Sequence, residues 1–178
     1  MKQKKLLAVA ALLSMSAFGF SDAHAVTANA SAQIRNDISI TTVNTPLNFG
    51  VIIPGTTAGT VVVAAGSSAG VNPTVTGTGV SMANYSACSP GHFAVTGDKS
   101  TNYVITLPTT AATLTHSTIG ANTMTVDTLT SSKGVSQPVL GSDGTDAFSV
   151  GGTLHLAAGQ LSGTYNGQYA VTVAYGTI

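Results

Sequence analysis

Charge is what this sequence has least of. Only 7% of its 178 residues are charged, and it contains neither glutamate nor tryptophan. Three of the six basic residues, Lys2, Lys4 and Lys5, sit in the first five positions. From Val26 onward Arg35, Lys99 and Lys133 face Asp37, Asp98, Asp127, Asp143 and Asp146, a net charge of −2. So few Arg and Lys cannot build the basic footprint that phosphate backbones require, which excludes nucleic-acid binding. The same scarcity argues against long surface helices, whose wet faces carry Glu, Lys and Arg. A single cysteine, Cys88, leaves no internal disulfide, so the fold must stand on its core. With no Lys or Arg within ten residues to activate its thiol, Cys88 reads as a small buried hydrophobe.

Long apolar runs are missing too. The longest, residues 6–20, falls short of the roughly 18 residues a membrane-spanning helix needs. It follows the cationic Lys2-Gln3-Lys4-Lys5 and precedes Ala23-His24-Ala25, a small-x-small cleavage pattern. Residues 1–25 therefore read as a secretory signal, and the expected product is an exported chain beginning at Val26 that does not span the membrane.

What is present is Thr, Ser, Val, Ala and Gly, with a mean hydropathy of +0.34. That hydropathy opposes disorder, and Thr and Val suit a pleated strand. Alternation is the dominant period. Ala28, Ala30, Ala32, Ile34, Ile38 and Ile40 share one parity, broken at Asn36. Leu47, Phe49 and Val51 follow Pro46, and Val61-Val62-Val63 reads as a strand buried on both faces. Phe93 and Val95, the turn Gly97-Asp98, then Tyr103, Ile105 and Leu107 form a hairpin signature. Met124 and Val126 mark another strand, and Phe148, Val150, Leu154 and Leu156 share parity through Gly151-Gly152. The last strand puts Tyr165, Tyr169, Val171, Val173 and Tyr175 on one face. Breaker clusters at residues 66–73, 108–112, 131–138 and 141–146 separate these segments, as in an all-β sandwich. The expected layout is a signal peptide at 1–25, an N-terminal extension at 26–40 and one β-sandwich domain at 41–178.

Chemistry-bearing patterns are sparse. His92, His116 and His155 show no metal-ligand spacing, and His155 sits on the outward parity between Leu154 and Leu156. No nucleophile elbow, phosphate loop or dinucleotide fingerprint occurs. Gly141-Ser142-Asp143-Gly144-Thr145-Asp146 offers too few oxygen ligands for calcium and reads as an exposed turn. The expectation is a protein that is not an enzyme, with no catalytic residue, no metal and no cofactor.

Four stretches carry a resemblance. Pro46-Leu47-Asn48-Phe49-Gly50-Val51-Ile52-Ile53-Pro54-Gly55 is similar to the early Leu-x-Phe-Gly segment of a bacterial secreted family of unknown function. Phe93-Ala94-Val95-Thr96-Gly97 with Tyr103-Val104-Ile105-Thr106-Leu107-Pro108 resembles its central hairpin. Phe148-Ser149-Val150-Gly151-Gly152-Thr153-Leu154 resembles its penultimate block. Gly163-Thr164-Tyr165-Asn166-Gly167, running into Val171-Thr172-Val173-Ala174-Tyr175, resembles its closing strand. That family is similar to spore-coat-U-type and other fimbrial subunits of the chaperone–usher route, many of which carry an internal disulfide that a lone Cys88 cannot supply.

The resemblance implies an Ig-like, pilin-like antiparallel β-sandwich lacking one strand, which a neighbour's N-terminal extension fills. Here the candidate donor row is Ala28, Ala30, Ala32 and Ile34; the alternative is that only Ile38 and Ile40 enter a strand and the rest is linker. The closing strand, Tyr169, Val171, Val173 and Tyr175, would pack the core and pair with a chaperone or neighbour. The partners implied are subunits of the same kind, a periplasmic chaperone and an outer-membrane usher, and the destination is the cell surface or a fimbrium after passage through the periplasm. The implied function is a structural subunit of a surface fibre or pilus. The alternative is a self-complete secreted β-sandwich binding module, such as a single-domain adhesin or matrix protein.

Overall fold

Thr and Val alternate along most of the chain, and such β-branched side chains pack best on a pleated surface. The computed structural model describes residues 26–43, 45–70, 72–134 and 137–176; the signal segment lies outside them. It contains twelve strands and, among the described residues, no helix. In chain order they are β1 (Ser39–Thr42), β2 (Val51–Ile53), β3 (Gly59–Val63), β4 (Thr74–Thr76), β5 (Ser81–Asn84) and β6 (Gly91–Thr96). Then come β7 (Tyr103–Thr106), β8 (Ala112–His116), β9 (Thr123–Ser131), β10 (Thr145–Leu156), β11 (Tyr165–Asn166) and β12 (Thr172–Tyr175). Residues 26–38 form no strand, and residues 26–34 are exposed.

The twelve-residue β10 organises the large sheet, whose order is β1-β6-β10-β9-β8-β11. The first half of β10 pairs with β6 and the second half with β3, which carries β4 outside it. The ribbon β2–β5 and the pair β12–β7 are separate two-stranded sheets. They cover two apolar clusters, so the molecule is an antiparallel β-sandwich. One cluster gathers Phe49, Val61, Val63, Val126, Leu154 and Leu156. The other gathers Phe93, Val95, Tyr103, Leu140, Phe148 and Val150, with Phe93 stacked on Phe148 at 5.3 Å. The even-numbered row of β10 thus supplies both clusters, as its parity predicts. Each of these large side chains contributes about 1.5–3 kcal/mol by burial.

Between the two halves of β10 lies Gly151-Gly152. A Cβ on Gly151 would collide with the backbone of Val63, Ala64 and Ala65, and one on Gly152 would meet Leu129 at 2.8 Å. The β9 register also shifts between Gly151 and Thr153. Only glycine lets β3 press this closely against β10 where β6 ends.

Four local expectations are corrected. The segments around Phe93 and Tyr103 do not form a hairpin: β6 pairs with β1 and β10, while β7 pairs with β12. The connection crosses between layers because residues 97–101 are tied to the 140–144 turn, by Gly97 N–H to Gly144 O and Ser100 N–H to Gly141 O. Secondly, the inward row through Leu47 and Phe49 does not continue to Val51, which is 54% exposed. Gly50 takes φ +75° and swaps the faces, so Ile52 packs inward instead. Thirdly, the last strand is two strands in different sheets, since β11 pairs with β8 and β12 with β7. Finally, β3 is buried at Val61 and Val63 but only half-buried at Val62, whose face is outward.

One polar tie crosses the layers. The hydroxyl of fully buried Tyr103 donates to Asp146 Oδ2 at 2.9 Å, and Lys133 Nζ donates to Asp146 Oδ1 at 2.9 Å. Burial pushes the Tyr103 phenol up, and the adjoining carboxylate adds to that. For Asp146, burial alone would raise the carboxyl, but donors from Lys133, the Ala147 backbone and Tyr103 hold it below the usual range.

Two predictions follow from these contacts. Gly151→Ala should destabilise the domain by about 1–3 kcal/mol through overpacking, measured as a lower urea midpoint at unchanged m-value. A wild-type midpoint in that variant would show the seam is slack. Asp146→Asn should cost about 1–3 kcal/mol at neutral pH. Because the folded carboxyl titrates low, its contribution is complete above about pH 4 and is lost as pH falls through the folded value. The gap between wild type and Asp146→Asn should therefore close in acid, and a pH-independent gap would contradict the tie.

Candidate functional site

The two layers do not close everywhere. Among the described residues, strand β1 pairs only with β6 and β12 only with β7, so each leaves one backbone edge without a ladder there. Between the continuations of these edges lies an open cleft of about 600 Å³. Thr45 and Leu47 form one wall, Gly167, Gln168 and Tyr169 the other, and Phe93 the floor. The first wall is fixed from behind, by Val43 N–H to His92 O, His92 N–H to Thr45 O and Ser89 Oγ to Pro46 O. The Tyr169 ring meets Phe93 edge-on at 6.4 Å, and its hydroxyl occupies the space above Gly91 that any side chain there would fill. Burial pushes the Tyr169 phenol up.

Two pins lie beyond the wall residues along the chain, one on each side. At one, the Tyr175 hydroxyl donates to Asn36 O at 2.8 Å and accepts from Asp98 N–H at 2.7 Å. Asp98 Oδ1 in turn accepts from both Asn36 N–H and Asn36 Nδ2, and the Arg35 guanidinium lies 5.5 Å from the centre of the Tyr175 ring. At the other, Gly159 N–H donates to Gly55 O at 3.0 Å. Between the pins, among the described residues, no backbone ladder joins the two walls.

The residues named from sequence fall on both sides of this feature. Tyr169, Val171, Val173 and Tyr175 are half-buried and pack on the Phe93 cluster, while Ala170, Thr172 and Ala174 face out. Ala28, Ala30, Ala32 and Ile34 are exposed and in no strand, Ile34 at 96%. Ile38 and Ile40 are half-buried against the same cluster, with Ile40 in β1. Sequence reading missed the walls at Thr45 and at Gly167-Gln168. A signal existed, since Pro46 and Gly167 are breakers that both line the cleft.

The other candidates are accounted for by structure. Asp143 accepts from Thr145 N–H and Oγ1 within a turn, bonds that hold its carboxyl low. His155 meets Asp127 at 2.8 Å on the outer face of the large sheet. Cys88 is buried beside a small cavity of about 70 Å³, and burial raises its thiol. His116, buried at the end of β8, joins the 118–119 turn and Ser162 by hydrogen bonds. Among the described residues no three His, Cys or Asp side chains gather as a metal site, and no helix is long and apolar enough to cross a membrane.

The pin at Tyr175 can be tested directly. Tyr175→Phe keeps the ring but removes both hydroxyl bonds, and should cost about 1–2 kcal/mol. The amide of Asp98 should then exchange faster while those of β10 do not, read by hydrogen-exchange mass spectrometry. Unchanged exchange at residues 96–99 would mean the hydroxyl holds nothing.

Comparison with curated proteins finds no match, and comparison with solved structures finds none. A family model described as a domain of unknown function, DUF4402, matches residues 38–175. That span runs from the residue before β1 to the last residue of β12, which takes in both cleft walls, and the chain belongs to this domain family of unknown function.

Proposed function

We propose that this protein is a structural subunit of a bacterial surface fibre or pilus, assembled by β-strand addition between subunits. The observation that carries the reading is the open cleft between two unladdered edges, floored by Phe93 and walled by Leu47 and Tyr169. An extended segment laid there gains main-chain hydrogen bonds from an edge and places alternate side chains over an apolar floor. The proposed donor is residues 26–34 of a neighbouring copy, with Ile34 the main anchor and Ala28, Ala30 and Ala32 the small inward row. Three alanines bury little area, so main-chain pairing at about 0.5–1.5 kcal/mol net per bond has to supply much of the affinity.

The resemblance to spore-coat-U-type and chaperone–usher subunits adds the route. The chain is exported, held in the periplasm by a chaperone that pairs with the β12 edge, and passed through an outer-membrane usher to the surface. An exported sandwich with few charges and many hydroxyls suits a surface fibre. A second reading, a self-complete secreted binding module, is favoured by the two pins, which join the cleft walls within one chain.

Deleting residues 26–34 separates the two. The fibre reading expects a folded monomer that no longer forms polymer but still binds a free peptide of residues 26–34, which fills the cleft without linking subunits. Fibres that persist unchanged, or a wild-type chain that stays monomeric at every concentration, would sink it. Val173→Asp should abolish accumulation of folded protein, because an unpaired carboxylate would enter the Phe93 cluster; normal yield would contradict the packing of that strand.

A further inference from the structure

The two cleft walls are held very differently. Residues 43 and 45–48 lie against β6 and the segment before it, but the opposite wall is the end of a loosely attached stretch, residues 157–169. Its first eight residues bury no apolar side chain, and Leu161 is 41% exposed. Several of its bonds are internal: Ala157 N–H to Gln160 Oε1, Gln160 Nε2 to the Tyr165 hydroxyl, and that hydroxyl to Leu161 O. Its strand, β11, has two residues and one partner, β8.

What fastens it is His116. Nδ1 accepts from Thr118 N–H at 3.2 Å and Ile119 N–H at 3.1 Å, which places the ring proton on Nε2, where it donates to Ser162 O at 3.0 Å. The ring is 7% exposed and meets Tyr165 edge-on at 5.0 Å. Its other flank is pressed against Gly163, at φ +151°, where any Cβ would strike the imidazole. One side chain therefore joins the β8–β9 turn, the loop and β11. Among the described residues the other hydrogen-bonded outside ties are Ser117 N–H to Thr164 O, Gly159 N–H to Gly55 O, the β8–β11 pairing and a long bond from Gln160 to Thr123 O, while at its far end Gly167 packs on the Thr113 backbone and Tyr169 on Phe93.

We propose that residues 157–169 form a strap that swings off the β8 edge to admit a strand to the cleft, with His116 as its fastener. This deepens the strand-addition reading and rests on it for the identity of what the cleft admits. A segment with few apolar anchors opens at low cost, whereas β10 opens only with the whole fold. The movement also widens the cleft directly, because Gly167, Gln168 and Tyr169 follow β11 without a break. His116 is a positioning residue in this scheme, since it does not line the cleft.

The test uses the whole chain with His116→Phe, which keeps an aromatic ring and removes its bonds, and Gly163→Ala, which drives a methyl into the ring. Hydrogen exchange is followed at residues 157–169 and in β10, together with the uptake rate of a labelled peptide of residues 26–34. The expected result is exchange about tenfold faster in the strap alone, with faster peptide uptake, in both variants. Strap exchange that matches wild type in both variants, or that rises only together with β10, overturns the proposal. Faster strap exchange with an unchanged uptake rate overturns the gate and leaves the cleft reading standing. No uptake by any of the three proteins, wild type included, removes the cleft reading and the gate with it.

Discussion

Everything in this sandwich hangs on β10. With no disulfide, few charges and no tryptophan, the fold relies chiefly on apolar burial and backbone ladders to resist the entropy of the chain. One strand supplies a continuous inward row, Phe148, Val150, Leu154 and Leu156, to both clusters. It also pairs with three others, β6 and β3 in succession and β9 across from them. Change at the Gly151-Gly152 seam is therefore felt in both halves, while change at β4 or β11 reaches one edge. Stability is graded from the centre outward, and the cleft lies where it runs low.

How much of this was legible follows from what each signal encodes. Period-two alternation encodes which side of a strand is apolar, and it placed Phe93, Val95, Phe148 and Val150 toward the core in which they are buried, with Val173 and Tyr175 half-buried against it. It does not encode which strand is the neighbour. Phe93 and Tyr103 flank a turn signal at Gly97-Asp98, yet the ties from Gly97 and Ser100 to the 140–144 turn send β7 to the other layer. Those partners lie some forty residues away, outside the reach of local pattern. The same limit produced the single closing strand, which the structure divides at Gly167 because that residue packs against the Thr113 backbone. Gly50 is a third case: positive φ at one residue exchanges Val51 for Ile52 on the inner face.

The cleft itself was not readable as a site, because it is a relation between two edges rather than a motif. Its floor was visible as Phe93 and its wall as Tyr169, each classed as core. What turns core residues into a candidate surface is the lack of a ladder between the walls. Such an edge carries N–H and C=O groups that compete for any extended chain nearby. A long-lived secreted monomer normally blunts such an edge with charge or proline. Here Pro46 removes one donor from one wall, and among the described residues no charged side chain lines the cleft.

The contrast between the pins sharpens that point. At Tyr175, four side chains and several backbone groups converge, so the cleft is firmly closed where the N-terminal segment enters the domain at Arg35 and Asn36. At Gly159, one backbone bond spans the gap, on a stretch that buries no apolar side chain. In the proposed strap movement, a cleft tied by a network at Tyr175 and by one bond at Gly159 would widen from the Gly159 side. A self-complete module has no use for that asymmetry, because burying Leu47 and Tyr169 fully would stabilise it at both ends. On the proposed strand-addition reading the asymmetry has a use, since a loose wall would lower the barrier to docking while the Tyr175 bonds to Asn36 and Asp98 stay in place.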